Sequence, residues 1–323
     1  MKRILKNFMA TFDKLLPRII VAVVGIPLIL WLVMEGGYFF FALVAIISSL
    51  SLYEWYKLAE RKGAFPLKTV GLIGGFLING VFVYERLQLD IYKFFAERGI
   101  HLAMFSQHQL FTVILLVFLL GIMLCELFRQ KGSPIINVAV TVVGMLIVSL
   151  CFGTLIFTRE LFPYGFPAYK FFGVGFPNDE QLLQIQHWGG FTVAAVFVSI
   201  WMCDTAAYFG GTWLGKHRLF ERVSPKKTWE GAVFGFVFAV GTMIVAKIFF
   251  LDYLAMHHAL ILGALIGIFG QLGDLIESRF KRDAGVKDSS SILPGHGGVY
   301  DRFDSLVFIA PIVYLYIDFI VLS

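Results

Sequence analysis

Residues 273–305 read GDLIESRFKRDAGVKDSSSILPGHGGVYDRFDS, which places five aspartates, one glutamate and five Lys or Arg in 33 residues. Acids and cations at this density support two kinds of chemistry. Carboxylates hold a hard cation, while cations and the backbone N–H groups of a glycine-rich turn hold phosphate oxygens. The chain on either side is almost unbroken hydrocarbon. Ionisable groups at membrane depth are costly, and they mark functional sites by default.

Spacing divides the island into faces. Asp274, Glu277, Ser278 and Lys281 fall at i, i+3, i+4 and i+7, one face of a helix. Lys287-Asp288 and a serine run follow, then Pro294-Gly295-His296-Gly297-Gly298. A helix beginning near Val299 would aim its positive dipole end at that turn, with Asp301 and Asp304 on its first turn. An oxygen-rich set of this kind suits Mg²⁺ with phosphates rather than zinc. Two readings of His296 stand: a donor to phosphate, or a hydrogen bond that shapes the turn.

A second island lies upstream, with Asp204, Gly210-Gly211, Lys216, and Ser224-Pro225-Lys226-Lys227-Thr228-Trp229-Glu230-Gly231. Ser224 and Pro225 read as the N-cap and first turn of the next helix. Lys226 and Lys227 serve either phosphate or the charge bias of an inner loop. Asp204 sits several residues inside an apolar run, where a purely structural acid is hard to explain.

The elements that position these groups are membrane helices. The chain is 58% hydrophobic and 15% charged, too apolar for a soluble protein of 323 residues. Nine spans are predicted, at 19–35, 37–56, 69–84, 109–128, 134–157, 190–212, 231–251, 259–277 and 304–322. The basic head before the first span lacks a small-residue cleavage site, which favours an uncleaved helix. With nine spans, loops on the N-terminal side carry 21 Lys and Arg against 5 on the other. The N-terminus and both islands are therefore expected in the cytoplasm and the C-terminus outside. This bias accounts for most of the +5 charge, so no nucleic-acid partner is implied. Segments 85–108 and 158–189 read as outer loops without chemistry, the second interfacial or re-entrant. Cys125, Cys151 and Cys203 fit a packing role. The expected architecture is one all-α polytopic membrane domain over 1–323, with N-terminal helices in 1–157 and the catalytic helices and loops in 190–323. A lipid bilayer is its surroundings, and a homodimer is compatible with it.

The pattern Ser278, Lys281-Arg282, Lys287-Asp288, Pro294, His296-Gly297-Gly298, Asp301-Arg302 and Asp304 resembles the signature of the phosphatidate cytidylyltransferases. DTAAYFGG at 204–211 and SPKKTWEG at 224–231 resemble two further segments of that family, with Ala206 where a glycine is expected. The resemblance covers about the C-terminal 40% of the chain. It implies CTP and phosphatidate as substrates, CDP-diacylglycerol and pyrophosphate as products, and a bacterial inner-membrane address. It also implies a metal centre whose aspartates map onto Asp274 and Asp301. Asp288, Asp304 and Asp204 join them as candidate ligands for Mg²⁺, and a second, monovalent or divalent, cation is compatible. The catalytic set is then Asp274, Asp301, Lys281, Arg302 and Asp304. Lys226, Lys227, Ser278, Arg282, Lys287, His296, Gly297 and Gly298 are expected to bind substrate. Two other readings share the membrane setting: a CTP-dependent polyprenol kinase, and an ion-coupled transporter using Asp204, Asp274 and Asp301 as ion ligands.

Overall fold

A computed structural model describes residues 22–100, 102–293 and 297–323, and these fold almost wholly as helix. The helices are α1 (Ala22–Glu35), α2 (Gly37–Glu60), α3 (Lys68–Val81), α4 (Tyr84–Ala96), α5 (Gln107–Leu127) and α6 (Pro134–Gly165). They continue as α7 (Ala168–Phe172), α8 (Asp179–Leu214), α9 (Trp229–Phe249), α10 (Met256–Asp283) and α11 (Tyr300–Tyr316), extended by a π-helical turn Ile317–Val321. Seven of them, α2, α5, α6, α8, α9, α10 and extended α11, are long and apolar enough to cross a bilayer. The pair α3–α4 passes the same test with a 71° bend, and α1 is a shorter apolar helix. Every predicted span thus falls on a helix, and the chain is an all-α polytopic membrane protein. Residues 19–21 of the first span lie outside the described residues.

Helix α6 packs against α2, α3 and α5 and also against α8 and α11. The sequence-adjacent helices α8, α9, α10 and α11 then pack in order, so the two islands come from one contiguous group. Small residues set how closely these helices approach, as expected where lipid supplies no hydrophobic drive between them. At Gly273 an added Cβ would lie 3.0 Å from the Asp304 carbonyl oxygen and 3.2 Å from Phe308 Cβ. That approach brings the acids of α10 and α11 together.

Segments 85–108 and 158–189, expected as loops, are largely helical. In 85–108, apolar and charged residues alternate at helical period, and α4 forms there. Tyr38 donates to Asp90 at 2.7 Å, and Arg86 pairs with Glu160 at 3.0 Å. Buried Arg159 donates to the carbonyls of Val33 and Met34, both at 3.1 Å, which satisfies the C-terminal end of α1. With these partners α6 continues to Gly165 despite Pro163. Asn178 and Gln181 form a reciprocal capping box that starts α8 at Asp179, three turns before its apolar run. Of the cysteines, Cys203 is buried and Cys151 half-buried, but Cys125 is exposed on α5.

The other difference lies between α8 and α9. Ser224 and Pro225 do not start a helix: Arg218–Phe220 (β1) and Ser224–Thr228 (β2) pair antiparallel as a short hairpin. Thr228 is the N-cap of α9, its hydroxyl accepting from Gly231 N at 3.2 Å. Gly273→Val is expected to lower the thermal midpoint of the detergent-solubilised protein, since overpacking costs ~1–3 kcal/mol. Gly241→Ala, where an added Cβ meets nothing within 4 Å, should leave it unchanged or higher. Equal midpoints for the two variants would contradict the close approach of α10 and α11 at Gly273.

Candidate active site

Three helices and the hairpin deliver one group of charges. Asp204 comes from α8, Asp274 from α10 and Asp304 from α11, and their carboxyl groups are close enough to act on one another electrostatically. Lys227 Nζ on β2 donates to Asp274 Oδ2 at 2.5 Å, and Ser278 Oγ to Asp274 Oδ1 at 3.3 Å. Asp304 Oδ1 accepts from Ser305 N at 2.7 Å. Asp204 keeps an exposed side chain, with the charges of Lys227 and exposed Arg302 also acting on it. Successive residues of a strand point to opposite faces. Lys226, exposed on β2 beside Lys227, accordingly does not share its partner.

The acids suit a hard cation chemically: the donors are all oxygens, and an ammonium already sits against one of them. Among the described residues, however, no group of three or more His, Cys, Asp or Glu is placed so that it could by itself hold a metal ion. The group is open, with Asp204 and one Asp304 oxygen carrying no hydrogen bond among the described residues.

Asp301 is placed differently. Both its oxygens accept from Ser289 N, at 3.1 and 3.0 Å, and Oδ2 accepts from Gly298 N at 2.8 Å. Lys281 Nζ donates to Oδ1 at 2.9 Å. Asp301 thus holds the signature loop to α10. Lys281 is buried between it and Glu277, whose Oε2 lies 2.6 Å away in an ion pair that lacks hydrogen-bond geometry. Glu277 is 2% exposed, and neither of its oxygens has a hydrogen-bond partner. The predicted face of α10 is present, then, but its members divide: Asp274 and Ser278 with Lys227, Glu277 and Lys281 with Asp301.

The remaining candidates lie on the loop or at its edges. Lys287 and Asp288 are exposed. Arg282 is committed to carbonyls, Nε to Val223 at 3.3 Å and a terminal nitrogen to Val286 at 2.9 Å, which braces the hairpin turn against the end of α10. Gly297 has φ +88°, a left-handed conformation that favours glycine, and it bridges to Leu293 through a reciprocal pair of backbone bonds. His296, with Pro294 and Gly295, lies outside the described residues.

One residue of this site was not foreseen. Glu54 on α2 is fully buried. Its carboxylate accepts from Ser289 Oγ at 2.9 Å, Ser290 Oγ at 2.5 Å, Val299 N at 3.0 Å and Tyr300 N at 2.7 Å. It both shapes the serine run and places negative charge on the N-terminus of α11. A Cβ on Gly298 would collide with Ser289 Oγ and both Glu54 oxygens, so this glycine is required by contact. An acid two residues inside the end of the predicted span 37–56 was the available signal. Glu54→Gln should lower turnover at least tenfold in protein that still inserts, because the amide turns a donor toward donors. Wild-type turnover in that variant would remove Glu54 from the site.

The family model described as the cytidylyltransferase family matches residues 16–320, which takes in the N-terminal helices as well as the signature. A phosphatidate cytidylyltransferase of Synechocystis is 33% identical over 313 residues, covering 93% of this chain and 95% of that protein. That of Bacillus subtilis is 33% identical over 300 residues, covering 92% and 95%. One from Staphylococcus saprophyticus is 32% identical over 246 residues, covering 75% and 87%. A match of this length, together with acids from three helices gathered beside Lys227, means that the chain belongs to the cytidylyltransferase family.

Proposed function

We infer that this protein transfers CMP from CTP to phosphatidate, giving CDP-diacylglycerol and pyrophosphate, in the bacterial cytoplasmic membrane with its site facing the cytoplasm. The observation that carries the reading is the convergence of Asp204, Asp274 and Asp304 with Lys227 and Arg302 at one end of the bundle. The inward orientation rests on the 21-to-5 division of Lys and Arg between the two sets of loops.

Both reactants are anions, and their repulsion is the barrier to be removed. A phosphate oxygen of phosphatidate attacks the α-phosphorus of CTP. The bond from that phosphorus to the bridging oxygen breaks, and pyrophosphate leaves with the electron pair. The nucleophile arrives ionised, so no side chain need act as its base or form a covalent intermediate. Lys227 and Arg302 neutralise phosphate oxygens, and Lys227 leaves Asp274 to do so. Asp204, Asp274 and Asp304 would hold Mg²⁺, which when bound supplies further neutralisation of the phosphates. Asp301 and Lys281 keep the loop and α10 in register around them.

CTP labelled at the α-phosphate should pass its label into lipid, whereas γ-labelled CTP should not. Label entering from the γ position would establish a lipid kinase, and none from either would end both enzyme readings. Asp274→Asn and Lys227→Ala should each lower turnover at least a hundredfold, with Lys226→Ala within about threefold of wild type. Equal losses at Lys226 and Lys227 would contradict the division of β2 into two faces. Chelation should abolish turnover and added Mg²⁺ restore it; full activity in chelator would remove the metal.

A further inference from the structure

The end of α2 beyond Glu54 carries a second polar feature, on the far side of the serine run. A cavity of about 500 Å³ is lined there by Lys57, Glu60, Arg61, Ser289, Ser290 and Ser291. Its charge is unbalanced. Glu60 is paired with Lys68 at 2.7 Å. Lys57 and Arg61 have no carboxylate partner among the described residues. The Lys57 ammonium lies 4.5 Å from the centre of the Tyr53 ring, which orders the side chain without neutralising it. Ser291 is exposed and has no hydrogen-bond partner among the described residues.

This end of α2 lies at the same end of the bundle as the signature loop. Trp55 packs edge-on to Phe280 with centroids 5.0 Å apart, and Lys62 pairs with Asp283 at 3.5 Å. The cavity therefore opens at the end of a helix long and apolar enough to cross a bilayer. Two cations and a serine hydroxyl in a concave setting are the donor set of a phosphate anion. None of the lining residues bonds to Asp204, Asp274 or Asp304, so the feature is separate from the acids proposed to meet the nucleotide.

We propose that this cavity binds the phosphate of a membrane-lipid headgroup, through Lys57 and Arg61, and that its filling bears on the signature loop. The link is short. Ser289 and Ser290, which line the cavity, both donate to Glu54, and Ser289 N–H donates to Asp301. A headgroup drawn onto the serine run would thus brace the loop that holds Asp301 and the start of α11. The choice of a lipid as occupant rests on the reading of the enzyme as acting on a lipid phosphate.

The test uses full-length protein in neutral detergent, with the double variant Lys57→Gln/Arg61→Gln and Lys62→Gln as the control for surface charge. Thermal stabilisation is titrated with short-chain phosphatidate, short-chain phosphatidylglycerol, inorganic phosphate and CTP. The double variant should need about tenfold more of the lipids for the same stabilisation, with the CTP response unchanged and Lys62→Gln like wild type. Turnover in vesicles should show the same pattern, a raised KM for phosphatidate mole fraction beside an unchanged KM for CTP. A shift confined to CTP would assign the cavity to the triphosphate and overturn the proposal. Inorganic phosphate equalling the lipids would make it a free-phosphate site, and equal loss in Lys62→Gln would reduce it to surface charge. An unaltered lipid response would also overturn it. The stabilisation readout needs no turnover, so failure of the proposed reaction would be seen separately, as absence of label transfer by wild type.

Discussion

A carboxylate near the end of a hydrocarbon span must find its donors within the protein, and Glu54 finds four of them in the signature loop and at the start of α11, more than 230 residues away. Much of the site follows from that requirement. The two backbone donors, Val299 and Tyr300, are the first N–H groups of α11, which have no partners within their own helix. The two serine donors turn the chain so that Ser289 N–H and Gly298 N–H meet Asp301. The same constraint recurs at Lys281, whose ammonium lies between Glu277 and Asp301 and joins α10 to α11 where neither acid faces water. Removing one member of such a set strands the others, so its parts are interdependent rather than additive.

The division of labour among the acids follows from which helix end each one reaches. Asp301, in the first turn of α11, is surrounded by donors and acts as a tie. Asp304, one turn further on, leaves the loop behind and joins Asp274 and Asp204. Three residues of helix separate an acid filled by loop donors from one with an oxygen left open. The cations divide in the same way. Lys281 and Arg282 brace the loop and hairpin, while Lys227 and Arg302 remain near the open carboxylates.

Much of this was legible in the residues alone. The spans followed from hydropathy, because lipid admits few other solutions. The shared face of Asp274 and Lys281, and the start of α11 at the glycine turn, followed from period and dipole. Other features depended on competing local signals. The capping box at Asn178 and Gln181 and the amphipathic period of α4 were present in the sequence, but apolarity alone set the boundaries. The β2 strand was hidden because Ser-Pro also begins helices, and its pairing with β1 is a tertiary choice. Glu54 was passed over because its partners are remote in sequence, and spacing speaks only for neighbours. Nor could spacing say that Asp301 would be filled by loop donors while Asp304 stayed open.

The distance in sequence between Glu54 and its donors also bears on how the molecule is made. Glu54 belongs to the second helix, yet its partners Ser289, Ser290, Val299 and Tyr300 are synthesised near the end of the chain. During biogenesis this acid must wait, unpartnered or protonated, while seven further helical segments are inserted. The signature loop cannot take its shape before α11 is in place. A chain released before its last span would have most of its membrane helices and no ordered site. Activity in this architecture is therefore reserved for molecules whose insertion is complete.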